Sequence, residues 1–64
     1  MIKHVVEPGD TLYGISEKYH GEGSMWDLIY IKNKDIIGKD SDLIYVGQVF
    51  EIPNTVLLKP EYRK

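Results

Sequence analysis

The sequence contains no cysteine, so neither disulfide bridges nor thiolate zinc sites, the usual reinforcement of very small domains, can hold it together. No run approaches the roughly 18 consecutive apolar residues of a membrane helix. No apolar stretch of signal-peptide length follows Met1-Ile2-Lys3-His4, and no myristoylation or prenylation motif is present. We therefore expect a soluble chain without a membrane partner, cytoplasmic as synthesised. An excess of positive charge is lacking too: the formal net charge is -2 and the pI about 5.5, the opposite of the basic footprint that a phosphate backbone selects. Nucleic acid is thus an unsuited partner. Acidity is concentrated in residues 1–58, with five Lys against nine Asp or Glu, whereas Lys59, Glu61, Arg63 and Lys64 give the end of the chain a small basic excess.

What is present suffices for one small domain. The 64 residues are 42% hydrophobic and 28% charged, and a chain of this length buries only about 60% of its unfolded surface. There is no internal repeat and no low-complexity segment. The run Ile2–Glu7 is short and rich in β-branched residues, and Pro8-Gly9 closes it with turn chemistry, so it reads as a first strand. Period two places Ile2, His4 and Val6 together, and we expect that face to point inward. Asp10 or Thr11 can cap a following helix, in which Leu12, Ile15, Ser16 and Tyr19 recur at helical spacing over about 11–19. Gly14 inside it suggests a close approach of backbone or ligand.

Gly21 stands where a left-handed residue ends a helix. Ser24 with Asp27 has capping-box spacing, and Trp26, Ile29, Tyr30 and Asn33 repeat at helical intervals, which predicts a second helix over about 24–33. Residues 34–47 read as a long irregular loop, of the kind that carries function. Gly47 suits a turn with positive φ, and Gln48–Ile52 alternates so that Phe50 and Ile52 share a face, until Pro53 stops the ladder. This second strand can pair antiparallel with the first, both helices lying on one face of the sheet. The expected class is α+β, a βααβ unit with a two-stranded antiparallel sheet. Residues 1–53 form the domain, and 54–64 a short extension in which Val56, Leu57 and Leu58 make an apolar patch ahead of the basic end. Met1 directly before the first strand favours a whole protein over an excised module.

No catalytic constellation emerges. Glu7 with Asp10 and Asp40 with Asp42 are carboxylate pairs, but glycoside hydrolysis needs two carboxyls flanking a deep cleft, and solvated turns explain these better. Gly14 to Lys18 lacks the second glycine of a nucleophile elbow. His4 and His20 lack metal-ligand spacing, and Asp35 to Asp42 lacks a complete calcium loop. We expect no catalytic residue, no metal and no cofactor.

Val6, Gly9, Asp10, Thr11, Leu12 and Ile15, spaced V-x-x-G-D-T-L-x-x-I, then Asn33, and finally Ile44, Tyr45, Gly47, Gln48, Ile52 and Pro53, spaced I-Y-x-G-Q-x-x-x-I-P, resemble a LysM domain. The resemblance covers residues 3–53. His4 stands where that family usually has an aromatic residue, and Val46 where proline commonly precedes the Gly-Gln pair. The wording around Tyr19, His20, Gly21, Gly23, Trp26, Ile29, Tyr30, Asn33 and Lys34 is similar to LysM domains of cytoplasmic bacterial proteins and of phage tails.

The resemblance implies a non-catalytic module binding N-acetylglucosamine-containing chains, peptidoglycan or chitin, in a shallow groove between the first strand–helix loop and the loop before the second strand. Gly9, Asp10, Thr11 and Leu12 would form one wall, and Asp35, Ile36, Ile37 and Ile44 the other. Helix capping competes with ligand contact for Asp10 and Thr11, as core packing does for Ile36, Ile37 and Ile44. Tyr13 lies on the outer side of its helix and could stack on a sugar, although a surface tyrosine is commonly incidental. Trp26 is expected in the packing. The resemblance also allows a structural adaptor, a hub or baseplate component of a phage tail or tail-like particle, meeting its assembly partners through the C-terminal extension. Such a particle could carry the module to the cell wall. Cation sensing, as in some cytoplasmic LysM proteins, is a third reading.

Overall fold

A computed structural model of the chain describes residues 2–53. The apolar patch at Val56, Leu57 and Leu58 and the basic end lie outside the described residues.

Two strands, β1 (Ile2–Val5) and β2 (Val49–Ile52), pair antiparallel with Ile2 opposite Ile52, Lys3 opposite Glu51, His4 opposite Phe50 and Val5 opposite Val49. The backbone pairing runs on past β1, since Val6 N–H donates to the Gln48 carbonyl (2.8 Å) and Gly47 N–H to the Val6 carbonyl (2.9 Å). Alternation puts His4, Phe50 and Ile52 on the covered face, with Val6 buried beyond the strand's end. Ile2 belongs to that face by register, yet it is 57% exposed, because it pairs at the open end of the ladder. Expecting it in the core was incorrect.

Helix α1 spans Leu12–His20. Thr11 caps it: its side-chain oxygen accepts the Gly14 amide at 3.0 Å. Asp10 does not cap the helix and has a different role, described below. Gly21 ends α1 with φ 73°, its amide donating to the Glu17 carbonyl, a left-handed closure that suits glycine. The neighbour that crowds Gly14 is this same Thr11 oxygen, 3.3 Å from where a Cβ would stand. The close approach expected there from a backbone or ligand is thus the helix's own cap.

The expected second helix over 24–33 is divided. A 3₁₀ turn over Gly23–Met25 leads into α2 (Trp26–Lys32), and after Asn33 a further short helix, α3 (Lys34–Ile37), occupies the start of the segment expected to be an irregular loop. The break falls at Asn33, whose side chain serves β2. Its Nδ2 donates to the Ile29 carbonyl (2.8 Å) and the Glu51 carbonyl (2.9 Å), and its Oδ1 accepts the Glu51 amide (2.8 Å). The outer edge of β2 is therefore paired by a side-chain amide that acts as a one-residue strand.

The core gathers Val6, Leu12, Ile15, Ile29, Ile37, Phe50 and Ile52, with Tyr19, Trp26, Tyr30 and Ile44 packed against it. Phe50 is fully buried, and truncating such a side chain costs about 3–5 kcal/mol, comparable with all that the core of so small a domain supplies. The architecture is the expected βααβ unit with α3 added.

Candidate functional site

The β1–α1 connection and the segment between α3 and β2 face each other across an open cleft of about 290 Å³. Asp10, Thr11, Leu12 and Tyr13 line one side. Trp26 contributes from the start of α2, and Ser41, Asp42 and Ile44 close the other side.

The first wall is held by Asp10. Its Oδ2 accepts the Glu7 amide (2.9 Å) and meets His4 Nε2 at 2.8 Å, while its own amide donates to the Glu7 carbonyl (3.0 Å). The Glu7 N–H, followed by the His4 hydrogen bond, holds the Asp10 carboxyl below the ordinary carboxylate range. His4 is buried, and its Nδ1 lies 2.7 Å from the Tyr19 hydroxyl, with the two rings edge to face. An ionised carboxylate can only accept, so the proton on the Asp10 side sits on Nε2; the neutral ring then accepts the Tyr19 O–H at Nδ1. Strand, connection and helix are joined by this one chain of bonds.

The second wall is an irregular segment stiffened by side chains. The Tyr30 hydroxyl donates to the Gly38 carbonyl (2.6 Å) and lies 3.1 Å from that of Lys39. Asp40 accepts the Asp42 amide at Oδ1 (2.9 Å), and its carbonyl accepts the Leu43 amide (3.1 Å), a local turn that places Ser41 and Asp42 at the rim. Gln48 closes the far end: Oε1 accepts the Tyr45 amide (2.8 Å) and Nε2 donates to the Ile36 carbonyl (3.5 Å). Gly47, at φ 93°, turns the chain into β2.

Of the residues expected at a site, Asp10, Thr11, Leu12, Tyr13 and Ile44 come together in this cleft. Gly9, Asp35, Ile36 and Ile37 are not among its lining residues. Gly9 lies in the turn just before Asp10, and Ile37 is buried in the core. Asp35 and Ile36 are exposed on α3. Tyr13 is half-exposed, and its ring rests against Gly23, where any Cβ would overlap it. Trp26 does both jobs: it packs on the core and lines the cleft. Sequence reasoning favoured packing over a ligand platform for it. Ser41 and Asp42 were missed as lining residues, because their position depends on the Asp40 turn and not on any periodic pattern.

The surface offered is small, partly apolar and partly polar. Two first-turn amides of α1, those of Leu12 and Tyr13, have no intrahelical acceptor. Leu12, Ile44, Trp26 and Tyr13 supply apolar contact, and Asp10, Thr11, Ser41 and Asp42 supply hydrogen-bonding oxygens. Such a mix suits a neutral, hydroxyl- and amide-bearing ligand. Among the described residues, no group of three His, Asp or Glu side chains could hold a metal ion, and no helix is long and apolar enough to cross a membrane.

The family model for the LysM domain matches residues 4–53. The potassium binding protein Kbp of Escherichia coli O6:H1 is 40% identical to this chain over 50 residues, which is 78% of the chain and 33% of that protein. The chain thus spans about a third of the length of that relative. No solved structure matches it significantly.

Proposed function

This chain belongs to the LysM family, and from that premise we propose that it is a non-catalytic module holding N-acetylglucosamine-containing glycan, of peptidoglycan or chitin, in the cleft between the β1–α1 connection and the loop after α3. LysM domains as a class bind such glycans. The observation that carries the reading is the cleft itself, lined by polar Asp10, Thr11, Ser41 and Asp42 together with apolar Leu12 and Ile44 and the rings of Tyr13 and Trp26. An acetamido group asks for that combination: a donor for its carbonyl, an acceptor for its N–H, and apolar contact for its methyl. A shallow site of this size binds weakly, and copies in an assembly or a fused partner would raise the avidity.

The test is a ¹H–¹⁵N titration with chitopentaose, then with soluble muropeptide. Saturable shifts confined to residues 10–13, 26 and 41–44 support the reading. A flat response at millimolar ligand rejects it.

A second reading is favoured by one observation, the 40% identity to a protein whose name records potassium binding. Under it, this chain would bind potassium through its LysM domain. Thermal melts in KCl and NaCl at equal ionic strength test it: a Tm raised by potassium alone supports cation binding, and superimposed curves reject it.

A further inference from the structure

His4 does not line the cleft, yet it is bound to a residue that does. Its imidazole is buried between two partners: Nε2 lies 2.8 Å from Asp10 Oδ2 and Nδ1 lies 2.7 Å from the Tyr19 hydroxyl. Both bonds recorded on the Asp10 carboxylate, from His4 and from the Glu7 amide, fall on Oδ2. Oδ1 has no hydrogen-bond partner among the described residues. A carboxylate held by two donors on one oxygen is fixed in plane and presents the other as an acceptor. We propose that His4 is a positioning residue for the glycan cleft, holding the Asp10 carboxylate so that Oδ1 accepts a hydroxyl or amide proton of the sugar, with an acceptor strength that follows the charge on the imidazole.

The inference rests on the glycan reading above. Its physical basis is the difference between the two forms of the ring. Neutral His4 gives Asp10 one N–H and leaves it a full anion. The imidazolium keeps the same N–H and adds a positive charge against the carboxylate, which then binds a sugar proton less strongly. The other groups facing this ring are few. Helix α1 brings Tyr19, with the Lys18 ammonium over the far ring at 5.3 Å, and β2 places apolar Phe50 opposite. Lys3 and Glu51 pair on the other face of the sheet. Glu7 reaches Asp10 through its backbone amide.

The experiment measures chitopentaose affinity from about pH 8 to about pH 5, the range in which an imidazole changes charge, and follows the His4 ring resonances in the same samples. We expect affinity to fall about fivefold toward the acid end, the difference between a bond to a charged and to a compensated acceptor, and the fall to accompany the change in the His4 ring resonances. His4→Gln supplies a neutral N–H donor in place of Nε2; it should keep the alkaline affinity within about twofold and show no pH dependence. His4→Phe fills the space without a donor and should bind about fivefold more weakly at every pH. His20→Gln, whose imidazole contacts the Pro53 carbonyl instead, should retain the wild-type profile. A wild-type affinity that stays flat from about pH 8 to about pH 5 overturns the proposal, as does a His4→Phe variant that binds like His4→Gln. Loss of all chitopentaose binding, wild type included, removes the glycan reading itself and the inference with it.

Discussion

Asn33 and Glu51 are bonded in both directions, the Asn33 amide nitrogen donating to the Glu51 carbonyl at 2.9 Å and its oxygen accepting the Glu51 N–H at 2.8 Å. Asn33 is 2% exposed, so these groups have little water to fall back on. The pairing explains why the second helical segment is interrupted: a residue that pairs with a strand edge is placed by the strand as well as by the helix. Asn33→Ala would leave both backbone groups of Glu51 without this partner, and we expect a loss of about 2–4 kcal/mol, read as a lowered urea midpoint. Asn33→Asp should be worse near neutral pH than in acid, because an anion there faces two carbonyl oxygens. Equal stability of both variants and wild type would refute the clamp.

Thr11 was open to two roles, helix cap and cleft wall, and the structure gives it both positions. Thr11→Ala should cost about 1 kcal/mol of stability, and Thr11→Ser should restore most of it. Amide exchange in the first turn of α1 would report the difference locally.

Gly23 matters through space, not through backbone angle. A Cβ there would overlap the Tyr13 ring, and Tyr13, half-exposed, is free to swing outward. Gly23→Ala should therefore change the unfolding free energy by less than about 1 kcal/mol while displacing Tyr13 from the cleft. Nuclear Overhauser contacts between Tyr13 and residue 23 should vanish, and chitopentaose affinity should fall more than stability does.

Asp10 links the cleft to the acid limb of the stability curve. Its carboxyl is held below the ordinary carboxylate range by the Glu7 amide and then by His4. A group whose folded pKa is depressed contributes stability above its unfolded pKa and loses it as pH falls through the folded value. The contribution should be present at neutral pH and disappear in acid below the unfolded carboxylate range. Asp10→Asn should reduce stability near pH 7 and flatten the acid limb, measured by urea unfolding at a series of pH values.

The two-strand, helix-rich outline was legible because its signals are local. Thr11 and Gly21 mark the ends of α1 by their own chemistry, and the alternation of Phe50 and Ile52 declares the buried face of β2. Asp10, Thr11 and Leu12 were expected in one wall from the LysM resemblance, and the cleft lining includes them together with Tyr13. Of the residues expected in the opposite wall, Ile44 lines the cleft. Asp35, Ile36 and Ile37 were expected beside it from the same resemblance; they belong to α3, with Asp35 and Ile36 exposed, Ile37 buried in the core and none of them in the cleft lining.

Length, charge, the absent cysteine, the turn glycines and the order of strands and helices are properties of the sequence by itself, because each depends on composition or on neighbours a few positions apart. Tertiary structure alone decided three things: that Asn33 serves β2, that Ser41 and Asp42 line the cleft with Trp26, and that His4 stands behind Asp10. Each of these joins residues separated in the chain, or points a side chain by packing around it, and no local preference encodes that choice. His4 illustrates the division. Period two placed it on the inner face of its strand, but only the approach of α1 with Tyr19 and the turn that brings back Asp10 gave both of its nitrogens a partner.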